Sequence, residues 1–233
     1  FADKFALVTG GTGGIGSAIA RAFLREGVVV GVHYKENVSS LQRLVEAARS
    51  WPGEIVPIVG DLLDKKTRES LVDQFCDITG GIDILINNAA GIDRYVSFFD
   101  SDENDWLRCF ELNLIAPVAL SKRACHRMKE RHGGRIINIT TAAINYGGIN
   151  SVHYVSSKAS LEYCALALSK WGAKHNILVN TVRCGLIDTG MRGTITGYTD
   201  EDFQKRRELV PLGRAGTPEE VASIVQFLSS EAA

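Results

Sequence analysis

A doubly wound α/β fold, a parallel sheet with helices on both faces, is predicted by three observations. Short apolar runs alternate with longer helical stretches along the whole 233-residue chain. The runs are continuously apolar, as in strands buried on both faces. A glycine-rich turn, Thr9-Gly10-Gly11-Thr12-Gly13-Gly14-Ile15-Gly16, sits between the first run and the first helical stretch.

The elements follow in order. Phe5-Ala6-Leu7-Val8 reads as the first strand, and Ile15, Ile19, Ala22 and Phe23 give helical spacing across 15–26. The β-branched run 28–33 is the second strand. Leu41, Leu44, Val45 and Ala48 mark a helix, 54–59 a strand, 71–78 a helix and 82–86 a strand. From Asp102 to Arg131 one long helical pattern surrounds Pro117, which has no N–H and must bend the helix or follow a break. A strand at 135–139, a helix at 154–174 and a strand at 177–182 come next. Thr217-Pro218-Glu219-Glu220 starts a last helix, with Thr as cap, Pro in the first turn and Glu at the third position. No repeat, low-complexity segment or linker interrupts residues 1–233, which predicts one domain with about six strands. The chain reaches Ala233 directly after the last helix, so the seventh strand that such a sheet often carries is missing from this expectation.

Composition narrows the partners. The net charge is -1 and the basic residues are scattered, which argues against nucleic acid or an anionic membrane surface. No apolar run approaches the length of a bilayer span. Cys76, Cys109, Cys125, Cys164 and Cys184 form no C-x-x-C pair and read as reduced, mostly buried thiols. Phe1-Ala2-Asp3-Lys4 carries no signal-peptide pattern, so a cytoplasmic location is expected. His126 and His132 have no ligand-like spacing with other donors, and no metal is expected.

The glycine turn explains itself physically. A turn without side chains lets backbone N–H groups and a helix N-terminus approach the pyrophosphate of a dinucleotide. Two spacings fit: G-x-G-x-x-G at Gly11, Gly13 and Gly16, and T-G-x-x-x-G-x-G at Gly10, Gly14 and Gly16. The second strand runs out through His33-Tyr34-Lys35, with Glu36 one step on. A carboxylate there would bind a ribose 2′-hydroxyl, and a cation a 2′-phosphate. Lys35 therefore points to NADP(H) over NAD(H); a solvated loop lysine is the alternative reading.

Tyr154 and Lys158 open the 154–174 helix at i,i+4 spacing, which puts both polar groups on one face. They follow the fifth strand and the pair Thr140-Thr141, on the ligand side of such a sheet.

Together these residues resemble the short-chain dehydrogenase/reductase family, whose sheet is a Rossmann fold. The resemblance covers nearly the whole chain: Thr9 to Gly16, Asp61, Asn87-Asn88-Ala89, Asn113, Tyr154-x-x-x-Lys158, Pro211-Leu212-Gly213-Arg214 and Thr217 to Ala222. The tail is most similar to the 3-oxoacyl-[acyl-carrier-protein] reductase branch, and sugar and steroid reductases carry similar tails. The resemblance implies a reversible, NADPH-dependent reduction of a carbonyl. Tyr154 would be the proton donor, its phenol drawn towards neutrality by Lys158 together with the charge of the oxidised nicotinamide; Lys158 would also hold the nicotinamide ribose. Asn113 would hold a water of the proton relay. Thr141, thirteen residues before Tyr154, would stand where the family has serine, with Thr140 as the alternative donor. The cofactor contacts implied are Gly10, Thr12, Gly13, Gly14, Ile15, Gly16, Tyr34, Lys35, Asp61, Leu62, Asn88, Ala89, Tyr154, Lys158, Ile187 and Thr189.

Three departures stand out. Thr141 narrows the pocket by a methyl, Ala90 displaces the usual glycine to Gly91, and Cys184 replaces a proline near the nicotinamide. His153 beside Tyr154 is expected at the substrate entrance or in solvent. Residues 189–210 would form the substrate lid, and Met191, Arg192, Ile195 and Tyr198 there permit an acyl chain or a polyketide. A homotetramer or dimer through the helical stretches 102–131 and 154–174 is implied. The rival reading is a dinucleotide-binding subunit or sensor with weakened chemistry; a sugar or secondary-alcohol dehydrogenase is the variant within the family.

Overall fold

The computed structural model describes residues 1 and 3–233, and the side chains of Met191 and Arg192 lie outside the described set. Six strands, β1 (Phe5–Val8), β2 (Val29–Tyr34), β3 (Glu54–Val59), β4 (Ile84–Asn87), β5 (Gly134–Thr141) and β6 (Ile177–Cys184), form one sheet. Its order is β3-β2-β1-β4-β5-β6, and every neighbouring pair is parallel. This is the doubly wound Rossmann arrangement. The order reverses between β1 and β4, so the crevice for a ligand opens beyond their C-terminal ends.

Side chains alternate across the sheet as the pleat requires. Ala6, Val8, Val30, Val32, Ile84, Ile86, Ile137 and Ile139 face α1 (Gly14–Arg25), α2 (Val38–Ala48) and α8 (Pro218–Ser229). Leu7, Leu85 and Ile136 face α3 (Lys65–Thr79) and α5 (Ala116–Glu130). With both faces covered, the strands need no polar side, which is why they read as continuous apolar runs.

The long helical stretch is not one helix. It divides into α4 (Glu103–Phe110), a π-helical turn at Glu111–Ile115, and α5. Pro117 follows the break, in the first turn of α5. It has no N–H to donate to the carbonyl of Asn113, four residues back, and the Ala116 N–H reaches five residues back to Glu111.

Two further helices complete the chain. α6 (Val152–Gly172) starts two residues earlier than its sequence pattern. α7 (Asp200–Glu208) lies within the expected lid. Its sequence has a single buried residue, Phe203, so it shows no apolar periodicity. Its signal is instead the capping box of Thr199 and Asp202. The same device opens α8, where Thr217 and Glu220 cap each other as expected.

No helix among the described residues is long and apolar enough to cross a membrane.

Candidate active site and dinucleotide cleft

The glycine turn is built by close approach. Gly10 has φ +61°, which favours glycine. Gly16 packs against the Gly10 carbonyl and Asn88, where a Cβ has no room. Gly14 lies against Thr189, where a Cβ has no room. Gly11 is crowded as well, by Val32 and Val8. The first of the two sequence spacings also needs Gly13, which has room, whereas all three glycines of the second are required.

The turn is anchored from behind. The Asn88 side chain donates to the carbonyls of Thr9 (2.8 Å) and Gly10 (3.2 Å). The Thr9 hydroxyl accepts from the N–H groups of Asn88 and Ala89, both at 3.0 Å. Asn88, expected as a cofactor contact, thus turns its amide to the back of the turn.

At the front, Gly13 caps α1 with no side-chain hydrogen bond, and a Cβ there would meet only the Gly10 carbonyl. An uncapped helix N-terminus facing open space beside a Cβ-free turn fits a pyrophosphate. Thr12, Gly13, Gly14 and Ile15 supply that edge.

His33 is a residue that sequence reasoning passed over. Buried in β2, it accepts the Gly10 N–H at Nδ1 (3.1 Å), and its Nε2 lies 3.1 Å from the Gly60 carbonyl. A carbonyl only accepts, so Nε2 carries the proton and the ring is neutral. Burial pushes its pKa below the ordinary value of 6.5, against the opposing pull of Gly60 and Asp61. The folded protein therefore binds fewer protons here than the unfolded chain. This contribution to stability is complete above the unfolded pKa and declines as pH falls below it. We expect Tm to fall more steeply below about pH 6.5 in the native protein than in His33→Ala, which loses this titration. Equal slopes would show that His33 does not brace the turn.

At the end of β2, Lys35 Nζ lies 3.1 Å from Asp61 and 3.4 Å from Glu36. Asp61, chiefly through its side-chain hydrogen bond, raises the lysine pKa. Asp61 also accepts from the Leu63 N–H at 2.9 Å, which fixes the loop carrying Leu62. Arg68, nearly buried, holds that loop by the carbonyls of Leu62 and Leu63 and pairs with Glu111 of the π turn at 2.5 Å. The two parts of the cleft are tied by one guanidinium.

The π turn places Asn113. Its side chain is fully buried: Nδ2 donates to Gly91 O (2.9 Å) and Ser157 Oγ (3.1 Å), and Oδ1 accepts from Gly91 N (3.0 Å). These side-chain bonds clamp Gly91 to α6. The backbone carbonyl that Pro117 cannot reach is the group of Asn113 suited to a water. Gly91, displaced by one position in the sequence, gives both its backbone groups to this clamp.

Tyr154 and Lys158 lie on α6 as their spacing implied. Lys158 is fully buried, and Nζ donates to the Ile139 carbonyl at 2.8 Å. Burial pushes its pKa down to about 8. Burial likewise pushes the Tyr154 phenol up to about 12. In the protein alone desolvation dominates the phenol, and the charge that draws it down is that of Arg206.

The two threonines separate cleanly. Thr140 donates its hydroxyl to Glu162 at 2.6 Å, and Glu162 pairs with Arg183. Thr141, half-buried, only accepts, from Ala143 N at 3.2 Å, so its own proton stays available. Cys184 is buried with its thiol pushed up to about 11, an inert form. All five cysteines are free, and Cys164 alone is exposed.

His153 is corrected as well. It is 1% exposed, packed near Trp106, and its Nε2 has no partner. It neither faces solvent nor lines an entrance, because α6 turns it inward beside Asp105. Among the described residues no group of three His, Cys, Asp or Glu could hold a metal ion.

The segment 189–210 docks on the loop after β4. Arg94 and Thr196 form a bridge, the Tyr95 N–H donates to Thr196 O (2.7 Å), and Asp188 N reaches Gly216 O (3.0 Å). Ile187 forms an isolated bridge with Gly216, two residues before Thr189.

Residues 4–198 match the family model described as short chain dehydrogenase. The chain belongs to this family. It is accordingly an oxidoreductase of the NAD(P)-binding kind. It is 34% identical over 230 residues to the 3-oxoacyl-[acyl-carrier-protein] reductase of Aquifex aeolicus, covering 99% of this chain and 91% of that one. The L-rhamnose 1-dehydrogenase (NAD(P)(+)) of Azotobacter vinelandii is 32% identical over 243 residues, covering 99% and 91%. Among solved structures, the angucycline C-6 ketoreductase LanV with bound NADP superposes with a TM-score of 0.90 at 29% identity, covering 99% of this chain and 90% of that one.

Proposed function

We propose that the chain reduces a carbonyl to a secondary alcohol with NADPH, and that 3-oxoacyl thioesters are among its candidate substrates. The observation that carries this reading is the buried Lys158 one helical turn from Tyr154, at the mouth of a cleft that fits a dinucleotide. The bound nicotinamide would supply the hydride. Tyr154, with its phenol near 12, stays protonated over the working pH range and is ready to donate as the carbonyl oxygen gains charge. Thr141 would hold the same oxygen with its free hydroxyl proton. Lys158 has three donors and gives one to Ile139, which leaves two for ribose hydroxyls. A water on the Asn113 carbonyl would restore the proton to Tyr154. The intact set argues against a subunit or sensor without chemistry.

The cofactor preference rests on Lys35. Its ammonium, at the end of β2 and oriented by Asp61, would suit a 2′-phosphate. The nearby Glu36 favours the second reading, NAD(H), in which a carboxylate takes the ribose hydroxyls. Lys35→Ala should weaken NADPH binding about tenfold while changing NADH binding less than about twofold, as expected for loss of one charged hydrogen bond. Titration of both cofactors checks this, and equal losses would support NAD(H).

The lid formed by 189–210 would cover the substrate, with Ile195 and Tyr198 contributing; the side chains of Met191 and Arg192 lie outside the described residues. Self-association is proposed through α5 and α6, whose outer faces expose Val118, Leu166 and Trp171. A cytoplasmic location completes the proposal.

A further inference from the structure

The reading above leaves the substrate open among thioesters, sugars and polyketides. The lid carries a charge that narrows it. Tyr198 packs edge-on against Tyr95 with ring centroids 4.9 Å apart, and the Arg206 guanidinium lies 6.0 Å from the Tyr198 ring. Asn150, at the approach to α6 and Tyr154, draws the Tyr95 phenol pKa down against burial. The series Arg206, Tyr198, Tyr95, Asn150 thus runs from the lid helix to the reacting end of the site.

The neighbouring charges have partners. Lys205 pairs with Glu201 (2.7 Å), Arg94 with Asp105 (2.8 Å), Arg108 with Asp93 (2.5 Å) and Arg214 with Glu220 (2.6 Å). Arg207 reaches Gly213 O and Gln204. Asp202, one turn before Arg206, uses its carboxylate to cap Thr199. Among the described residues Arg206 forms no ion pair. Its charge nonetheless reaches the site, since it lowers the phenol pKa of both Tyr154 and Tyr95 against burial.

We propose that Arg206 is the specificity residue of this site and binds an oxyanion, a carboxylate or phosphate, carried by the carbonyl substrate, with Tyr95 and Tyr198 lining its path. A guanidinium suits this task because its planar fork of donors matches a carboxylate or phosphate. The proposal rests on the reading that the carbonyl reacts at Tyr154.

Three probes test it: acetoacetate, its uncharged ethyl ester, and acetoacetyl-CoA. Their reduction by NADPH and their binding to the protein with NADP+ are measured for the native chain, Arg206→Gln and Arg206→Lys. At least one anionic probe should lose affinity and rise in KM about tenfold more than the ester in Arg206→Gln, with kcat changed much less. Arg206→Lys should recover most of that loss. Loss confined to acetoacetate identifies a carboxylate near the carbonyl; loss confined to acetoacetyl-CoA identifies a phosphate further along the substrate. Equal shifts for anions and ester overturn the proposal, as does a native chain that binds neither anion. An anion bound through Arg206 but not reduced would uphold the oxyanion site and overturn the reductase reading for that carbonyl. Reduction of the ester alone, abolished in Tyr154→Phe, would uphold the reductase reading and overturn the oxyanion site.

Discussion

Tyr154→Phe should lower kcat for ketone reduction by about a thousandfold, within the span that a positioned proton donor contributes. Phe keeps the ring, so packing on α6 is preserved and NADPH affinity should change by less than about twofold, the scale of a neutral surface contact. The hydroxyl is the group lost, and its pKa near 12 makes it a donor in the reductive direction throughout the neutral range. Steady-state turnover with fluorescence titration of NADPH separates the two quantities. A variant that turns over normally would place the proton donor elsewhere, and Thr141 would be the residue to examine next. A loss of cofactor affinity equal to the loss of turnover would instead make the phenol a binding group.

Gly16→Ala is expected to have the second large effect, and for a different reason. Its Cβ would fall on the Gly10 carbonyl and within 2.7 Å of the Asn88 side-chain nitrogen, so the turn and its anchor must both move. Overpacking of this kind costs about 1–3 kcal/mol, or several degrees in Tm for a chain of this size. NADPH affinity should fall with it, because the N–H groups that would approach the pyrophosphate belong to the displaced turn. Gly13→Ala provides the contrast. Its Cβ meets only the Gly10 carbonyl, at 3.3 Å, and otherwise faces the open front of the cleft. Stability should hardly change while NADPH binding weakens. Thermal melts and NADPH titrations of both variants check the pair. Equal loss of stability in the two would show that the turn does not distinguish its front from its back.

What the sequence disclosed followed from periodicity and spacing. The strands were legible because burial on both faces leaves uninterrupted apolar runs such as Ile84 to Ile86. Glycines 10, 14 and 16 were legible once strand and helix flanked them. Tyr154 and Lys158 were legible as an i,i+4 pair. The features that escaped depend on contacts distant in sequence. His33 braces Gly10 across 23 residues, and nothing local marks a strand histidine as a hydrogen-bond bridge. Asn113 clamps Gly91 across 22 residues, and the choice of Thr141 over Thr140 depends on where Glu162 lies. His153 was misjudged because a polar residue next to a site residue invites an exposed reading, whereas α6 turns it inward. The π turn leaves a faint trace in Pro117, which marks a break but not its type.

The central claim is that hydride moves from NADPH to a carbonyl held at Tyr154 and Thr141. Its most direct test is reduction of a ketone that the native chain accepts, using NADPH with deuterium at the transferable position, followed by analysis of the alcohol. The account predicts deuterium on the carbinol carbon of the product in the native protein and no labelled alcohol above background in Tyr154→Phe. NADPH consumed without deuterium reaching that carbon, or an unlabelled alcohol, would contradict it.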